Sequence, residues 1–403
     1  MKRFILMNGN TQLASFSCHE NSIGEIKVGN LPNFIVDFEK WIRNRTTIIG
    51  RKNYQNLLDA YGIYDRESFM LISRCISLND TLWVNCVEKS ITWNKINPYT
   101  NPLNKIATEL ALGAEIIGVV VATPSPELGT NGSFAKCWKH IDGKTKLVKK
   151  GTIKASINQD ICDNEPFSEY YTYKIAKMLN ISSIAEVTIG NCGKTKCLSN
   201  GNEIEIPDIA SYSTCFTSEA VGFIPISDIP YIDDENMDEV LSFTRKFGYE
   251  SELIFREMLF LDALTFNVDR HNGNYGFLFD NKTFKILKTA PIFDNNLSLT
   301  PNLSIRDRDI EDIKDDISRL RSKTPLGNSF AEQGALAMNV EIYNKAIKLF
   351  NTIKDEQNWL IEPAHIREEG EERIALSSTR ASYIEWLVKN QLFEILRLYR
   401  KVY

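Results

Sequence analysis

The spacing of apolar positions divides the chain into a small mixed unit, a β-rich stretch and a helical stretch. Near the start, Phe4, Leu6 and Leu13 lie in strand-like runs separated by the polar turn Asn8-Gly9-Asn10. A helical stretch is predicted to open at Leu31-Pro32 and run through Trp41, and a second to span Tyr54–Tyr61 and stop at Gly62. Leu110–Val121 is apolar and ends at Pro124-Ser125-Pro126, a boundary signal. A turn at Asp142-Gly143 precedes a predicted strand over Thr145–Lys149. Pro166–Leu179 reads as a helix with Asp163 or Asn164 as N-cap, and Phe167, Tyr171, Ile175 and Met178 on one face. Val187–Ile226 is β-like with several turns. Ser251–Phe266 is a strong helix striped by Phe255, Met258, Leu259 and Ala263. Beyond Thr300 the pattern is helical again, most clearly over Ile342–Ile353 and Ser382–Leu398. No internal repeat or low-complexity tract interrupts this order, which predicts an α+β fold.

With 403 residues the chain can build two or three packed units and a cleft between them. A hydrophobic content of 43% and a charged content of 25% are those of a soluble globular protein. The net charge of −5 and pI near 5.7 argue against a general nucleic-acid or membrane-surface binder, which would carry a basic excess. The eight cysteines form no dense framework, so reduced thiols in a cytoplasmic setting are expected. Cys192 and Cys197 are the only close pair and read as two free thiols on a hairpin. Four histidines leave little room for a histidine-rich metal site. The apolar start, Phe4 to Met7, is too short for a signal-peptide core, and no stretch approaches the roughly 18 apolar residues of a membrane span.

The segment after the Ser251–Phe266 helix holds the most chemistry: Asn267-Val268-Asp269-Arg270-His271-Asn272-Gly273-Asn274-Tyr275-Gly276. Asp269 and Asn274 have the D-x-x-x-x-N spacing of a kinase catalytic loop. There the carboxylate orients the attacking hydroxyl and accepts its proton, while the amide oxygen holds Mg²⁺. Phe277–Leu287 then reads as a β-hairpin with a polar turn at Asp280-Asn281-Lys282, which returns the chain and Asp294 to the neighbourhood of Asp269. Magnesium takes hard oxygen ligands and keeps several waters, so one Asp and one Asn are a reasonable protein contribution. Asp269 fills the base role, and His271 is read as fixing the loop. Arg270 could pair with a carboxylate or a phosphate. Upstream, the small-residue loop Leu128–Phe134 could bring backbone N–H groups to an anion. A phosphate-holding cation is expected at Lys149, with Lys150 as the alternative because one step along a strand swaps its face. Glu169 would hold that cation from the following helix.

These blocks together resemble the HipA-like serine/threonine kinases. The resemblance rests on NVDRHNGNYG at 267–276 and PIFDNNLSL at 291–299. It is joined by TNGSFAKCW at 130–138, LVKKG at 147–151 and NEPFSEY at 164–170. SLNDTLW at 77–83 and ITWNKINPYTNP at 91–102 resemble the branch that includes cell-translocating, proinflammatory bacterial kinases. The resemblance implies a two-lobed protein-kinase-like fold with a β-rich N-lobe, an α-helical C-lobe and a small N-terminal α/β extension. The implied divisions are 1–115, 116–230 and 231–403. It implies transfer of the γ-phosphoryl of Mg-ATP to protein Ser/Thr hydroxyls, with Asp269 as base and Asn274 and Asp294 as metal ligands. Lys149 would contact the ATP phosphates and Glu169 would orient it. Gly132, Ser133 and Phe134 would lie over the phosphates, and Phe216, within Cys215-Phe216-Thr217, would sit at the hinge near adenine. It also implies autophosphorylation in the phosphate loop, with Ser133 the nearest equivalent, and a toxin or effector role with an antitoxin or host-protein partner. Two other readings compete: a kinase-fold enzyme acting on a small molecule or lipid, and a nucleotide-binding module without turnover.

Overall fold

The computed structural model describes residues 1–46, 54–114, 126, 134–152, 164–199, 202–305, 308–324, 326–360, 365–368, 371–374, 376 and 378–402. Its class is α+β, with antiparallel sheets and a predominantly helical second half.

The chain opens with strands β1 (Lys2–Asn8), β2 (Thr11–His19) and β3 (Ser22–Val28), then helices α1 (Phe38–Arg45), α2 (Tyr54–Tyr61) and α3 (Arg66–Ser73). Strand β4 (Leu82–Cys86) and helices α4 (Trp93–Ile96) and α5 (Lys105–Ala111) complete this part. The sheet order is β3-β2-β1-β4, and Phe4, Leu6, Phe16, Phe38, Leu57, Phe69 and Val84 pack between the sheet and its helices. The helix predicted from Leu31 starts only at Phe38. Asp37 sets that start by accepting the Lys40 N–H at 2.9 Å, the bond an N-cap makes with the first turn. Tyr54–Tyr61 and its stop at Gly62 agree with the sequence, Gly62 taking a left-handed φ of 66°.

A second four-stranded sheet follows, formed by β5 (Lys136–Ile141), β6 (Lys144–Lys150), β7 (Val187–Ser199) and β8 (Asn202–Thr214) in the order β5-β6-β8-β7. Helix α6 (Asn164–Met178) packs on it. The helix begins two residues before Pro166, and of the predicted apolar face Phe167, Tyr171 and Ile175 are buried whereas Met178 points to solvent. Met178 closes the last turn, where the helix has already run past the sheet it covers.

The remainder carries a three-stranded sheet, β11-β10-β9, from β9 (Val221–Pro225), β10 (Gly276–Asp280) and β11 (Ile286–Thr289). Around it lie α7 (Met237–Arg245), α8 (Tyr249–Thr265), α9 (Ile310–Ser318), α10 (Phe330–Ala337) and α11 (Val340–Ile353). The hairpin β12 (His365–Glu368) and β13 (Glu371–Ile374) precedes the long α12 (Ser378–Val402). Helix α8 is buried along most of its length from Ser251 to Thr265, with only its first turn and the Glu252–Arg256 edge reaching solvent, the mark of a central helix.

The N-terminal part is joined to this core across the segment between β8 and β9. The Asn79 carbonyl accepts the Phe223 N–H at 2.7 Å, and the Leu78 carbonyl accepts from the hydroxyls of Thr217 and Tyr99. Glu219 accepts from Trp93 Nε1 and Asn97 Nδ2, and Phe34 packs edge-on against Phe279.

Candidate functional site

Cross-strand register brings the site's cations and hydroxyls into one row. In β6, Lys149 stands opposite Lys136 of β5 and opposite Ser211 of β8. Directly paired residues share a face of the sheet, so these three side chains project together, with Ser213 two residues further along. Lys150 is on the other face, where it pairs with Asp208 at 2.8 Å. The pleat thus turns Lys149 to the cleft and Lys150 away from it.

Helix α6 presents Glu169 to that row. Glu169 Oε1 lies 3.0 Å from Lys149 Nζ, and its two oxygens also accept the hydroxyls of Ser211 and Ser213. The same Nζ lies 2.6 Å from Oδ1 of Asp294. Lys149 and Glu169 are both buried, so each charge is compensated by its partners rather than by water. Burial alone would push the Lys149 ammonium down, but Asp294 and Glu169 outweigh it and raise it above the ordinary lysine range. Burial likewise works against the Asp294 carboxylate. Lys149 first, then Lys136 and Arg270, overcome it and hold that carboxyl well below its usual value.

The Asp/Asn loop hangs from the end of α8. Phe266 closes the helix in the left-handed conformation, and Asn267 then accepts the Asp269 N–H at 3.0 Å while donating to Asp262 at 2.9 Å. Arg270 is fully buried. It forks onto both oxygens of Asp262 at 2.9 and 3.0 Å and donates to the carbonyls of Asn274 and Phe293 and to Asn295 Oδ1. One guanidinium thus ties helix α8, the loop and the Asp294 segment together. The sequence left Arg270's partner open; the partner is a carboxylate. His271 Nδ1 accepts the Gly273 N–H at 3.0 Å, the loop-fixing contact expected of it. Asn274 Nδ2 donates to the Asp269 carbonyl at 3.2 Å, which orients the amide so that its oxygen is the end that can accept or ligate.

Asp294 follows β11 and adopts a left-handed φ of 59°. Just before it, Ile292 exchanges backbone hydrogen bonds with Ser183 and Ala185, so the Asp294 segment is stitched to the chain between α6 and β7.

A cavity of about 1110 Å³ contains these groups, with Lys149, Glu169, Asp294, Asp269 and Asn274 all on its walls. Phe134 and Phe216 line it too, and Phe216 packs against Phe223 and Phe293. Gly132 and Ser133 lie outside the described residues. Sequence reasoning missed Lys136, Ser211, Ser213, Asp262 and Lys323. The two serines had a readable signal only in their alternation, Ser211 and Ser213 falling on one face of a strand. The other three depend on contacts between distant segments.

The donor set suits a small hard cation. Asp294 offers a carboxylate and Asn274 an amide oxygen, both hard donors, while among the described residues no group of three or more His, Cys, Asp or Glu side chains is placed to hold a metal ion by itself. Among the described residues no helix is long and apolar enough to cross a membrane.

No family model matches the chain, and no curated protein sequence matches it. Among solved structures it is similar to a Helicobacter pylori proinflammatory kinase, CtkA. That likeness has 18% identity over 66% of this chain and 94% of that one, with a TM-score of 0.42. It is also similar to the Golgi casein kinase, at 12% identity over 92% of this chain and 88% of that one, with a TM-score of 0.29. Both likenesses are too distant to carry a functional assignment.

Proposed function

We propose that this chain is an ATP- and Mg²⁺-dependent phosphotransferase of kinase fold that phosphorylates serine or threonine hydroxyls of proteins. The observation that carries the reading is Lys149 Nζ held between Glu169 and Asp294 in a cavity whose wall also includes Asp269 and Asn274. A buried cation positioned by a helix carboxylate, beside a second carboxylate and an Asp/Asn loop, is the arrangement that phosphoryl transfer uses. On this reading residues 116–230 form the N-lobe and 231–403 the C-lobe.

Each role follows from the chemistry of its group. Lys149 binds nucleotide phosphates, and Glu169 with its serine partners keeps the ammonium aimed at them. Phe216, Phe134 and their aromatic neighbours offer an apolar slot for a purine. Asp269 orients the acceptor hydroxyl and takes its proton. Asp294 and Asn274 would hold Mg²⁺, which when bound neutralises phosphate charge. Arg270 holds loop and metal-binding segment in register. With little covalent work for the protein to do, placement and charge account for the catalysis.

The test is transfer from γ-labelled ATP with Mg²⁺, either to the chain itself or to a basic protein substrate, by wild type and Asp269→Ala. Labelling that disappears with the substitution supports the reading. Labelling that persists removes Asp269 as base. Binding of Mg-nucleotide with no transfer to any acceptor makes the chain a nucleotide-binding module. Turnover of metabolites or lipids without protein labelling makes it a small-molecule kinase.

A further inference from the structure

The loop between α9 and α10 brings a further lysine to the cleft, besides Lys149 and Lys136. Lys323 Nζ lies 2.5 Å from Asp269 Oδ1, and Lys323 lines the same cavity as Lys149, Asn274 and Asp294. The loop is anchored immediately beside it. Thr324 is fully buried, and its N–H and hydroxyl bond Ser322 Oγ at 3.1 and 3.2 Å. Lys323 thus sits between a local turn and a buried neighbour, with its own side chain half exposed.

The pair itself stays wet, with side-chain exposures of 53% for Lys323 and 27% for Asp269. An ion pair so exposed contributes little to stability. A compact ammonium on a flexible four-carbon stem can exchange one anion for another at small cost. Lys149 is committed to Glu169 and Asp294. His271 follows Asp269 closely in the chain but turns Nδ1 to the Gly273 N–H rather than to Asp269. Among the described residues Lys323 is the cation ion-paired with Asp269, and it covers an oxygen the candidate base would use.

We infer that Lys323 is a catalytic residue whose ligand is the γ-phosphoryl group, and that its bond to Asp269 is the resting state of the empty cleft. This inference rests on the kinase reading. When the nucleoside triphosphate arrives, the ammonium leaves Asp269 Oδ1 for the γ-phosphoryl oxygens and frees the carboxylate. The acceptor oxygen then bonds to the γ-phosphorus as the bond from that phosphorus to the diphosphate oxygen breaks. The hydroxyl proton passes to Asp269, and the nucleoside diphosphate departs with the electron pair. Lys323 keeps all its protons and balances the charge on the transferring group.

The experiment compares wild type, Lys323→Ala, Lys323→Arg and Asp269→Ala in full-length chain. It measures steady-state transfer from ATP with Mg²⁺ and calorimetric binding of the β,γ-imido analogue of ATP. Lys323→Ala is expected to lose about 10²-fold in kcat, the scale for removing one positioned charge donor. Its KM for ATP and its analogue affinity should stay within about threefold of wild type, since Lys149 still holds the nucleotide. Lys323→Arg, which keeps the charge, should recover most of the loss. The inference is overturned if Lys323→Ala retains kcat within about threefold while Asp269→Ala is inactive, or if Lys323→Ala is faster than wild type. It is also overturned if Lys323→Arg fails as badly as alanine. A wild type that neither binds the analogue nor transfers phosphate overturns the kinase reading and this inference with it. An intact analogue affinity in the alanine variant separates a failed lysine from a failed fold.

Discussion

Lys149 Nζ meets Asp294 Oδ1 at 2.6 Å across 145 positions of sequence. The bond joins the middle strand region of one sheet to the segment leaving another, so it locks the two walls of the cleft as well as pairing two charges. Glu169 on the opposite side of the ammonium completes a buried charge triad, and several consequences of that triad and its surroundings can be measured.

Replacing Lys149 by Met leaves two carboxylates facing each other in a buried space. A loss of about 3–5 kcal/mol at neutral pH is expected from stripping a buried pair of one partner. The pH dependence follows from the shifts. The Asp294 carboxyl is held below its ordinary 3.8, so its contribution is present above about pH 4 and disappears as the pH falls. The Lys149 ammonium is held above its ordinary 10.5, so its contribution is present below that value and disappears as the pH rises through the folded-state value. Melting temperatures of wild type and Lys149→Met should differ most between about pH 5 and 9 and converge in acid. A gap that stays constant down to about pH 2 would contradict the triad's role.

Arg270→Lys should behave as a severe change although it keeps the charge. The guanidinium forks onto Asp262 and reaches three further acceptors, a geometry an ammonium cannot reproduce. A loss of about 3 kcal/mol is expected from chemical denaturation. The double variant Asp262→Ala, Arg270→Ala should cost clearly less than the sum of its single changes, because each single change strands the other buried charge.

Gly276→Ala tests the packing under the loop. A Cβ there would sit 2.1 Å from the Ile224 carbonyl oxygen and 2.7 Å from Pro225 Cα, both backbone atoms of β9. Neither can move without opening the β9–β10 ladder that supports Asn274. Destabilisation of about 2–3 kcal/mol is expected, read from the denaturation midpoint. A neutral substitution would mean that the strands approach less closely than described.

Glu219→Ala removes the acceptor of Trp93 Nε1 and Asn97 Nδ2, and Asn281→Ala removes donors to the Ser218 and Glu219 carbonyls. Each should cost about 1–2 kcal/mol. Hydrogen exchange should quicken in both the 93–101 and the 216–221 segments with Glu219→Ala, whose carboxylate joins the two, and chiefly in 216–221 with Asn281→Ala. Faster exchange confined to 93–101 would show that the connection runs one way only.

What the chain determined by itself is local. The turn at Asn8-Gly9-Asn10, the helix Tyr54–Tyr61, the hairpin at Asp142-Gly143 and the central helix before Asn267 all follow from short-range spacing and turn chemistry. The Asp269/Asn274 spacing is equally local, and so it was legible as candidate chemistry. Helix starts were less so: Asp37 outcompeted Pro32, because a side-chain cap satisfies a backbone donor that a proline only lacks.

Only the tertiary structure decided which lysine enters the cleft and what surrounds it. Lys149 and Lys150 are neighbours with identical chemistry, and the pleat of β6 between β5 and β8 assigns one to Glu169 and the other to Asp208. Asp262 under Arg270 and Lys323 on Asp269 are partnerships between residues eight and 54 positions apart in the chain. Such pairings leave no trace in local periodicity, because a salt bridge requires only that two side chains meet in space. The sequence carries the candidate groups, and the packing of the sheets and helix α8 decides which of them share one cleft.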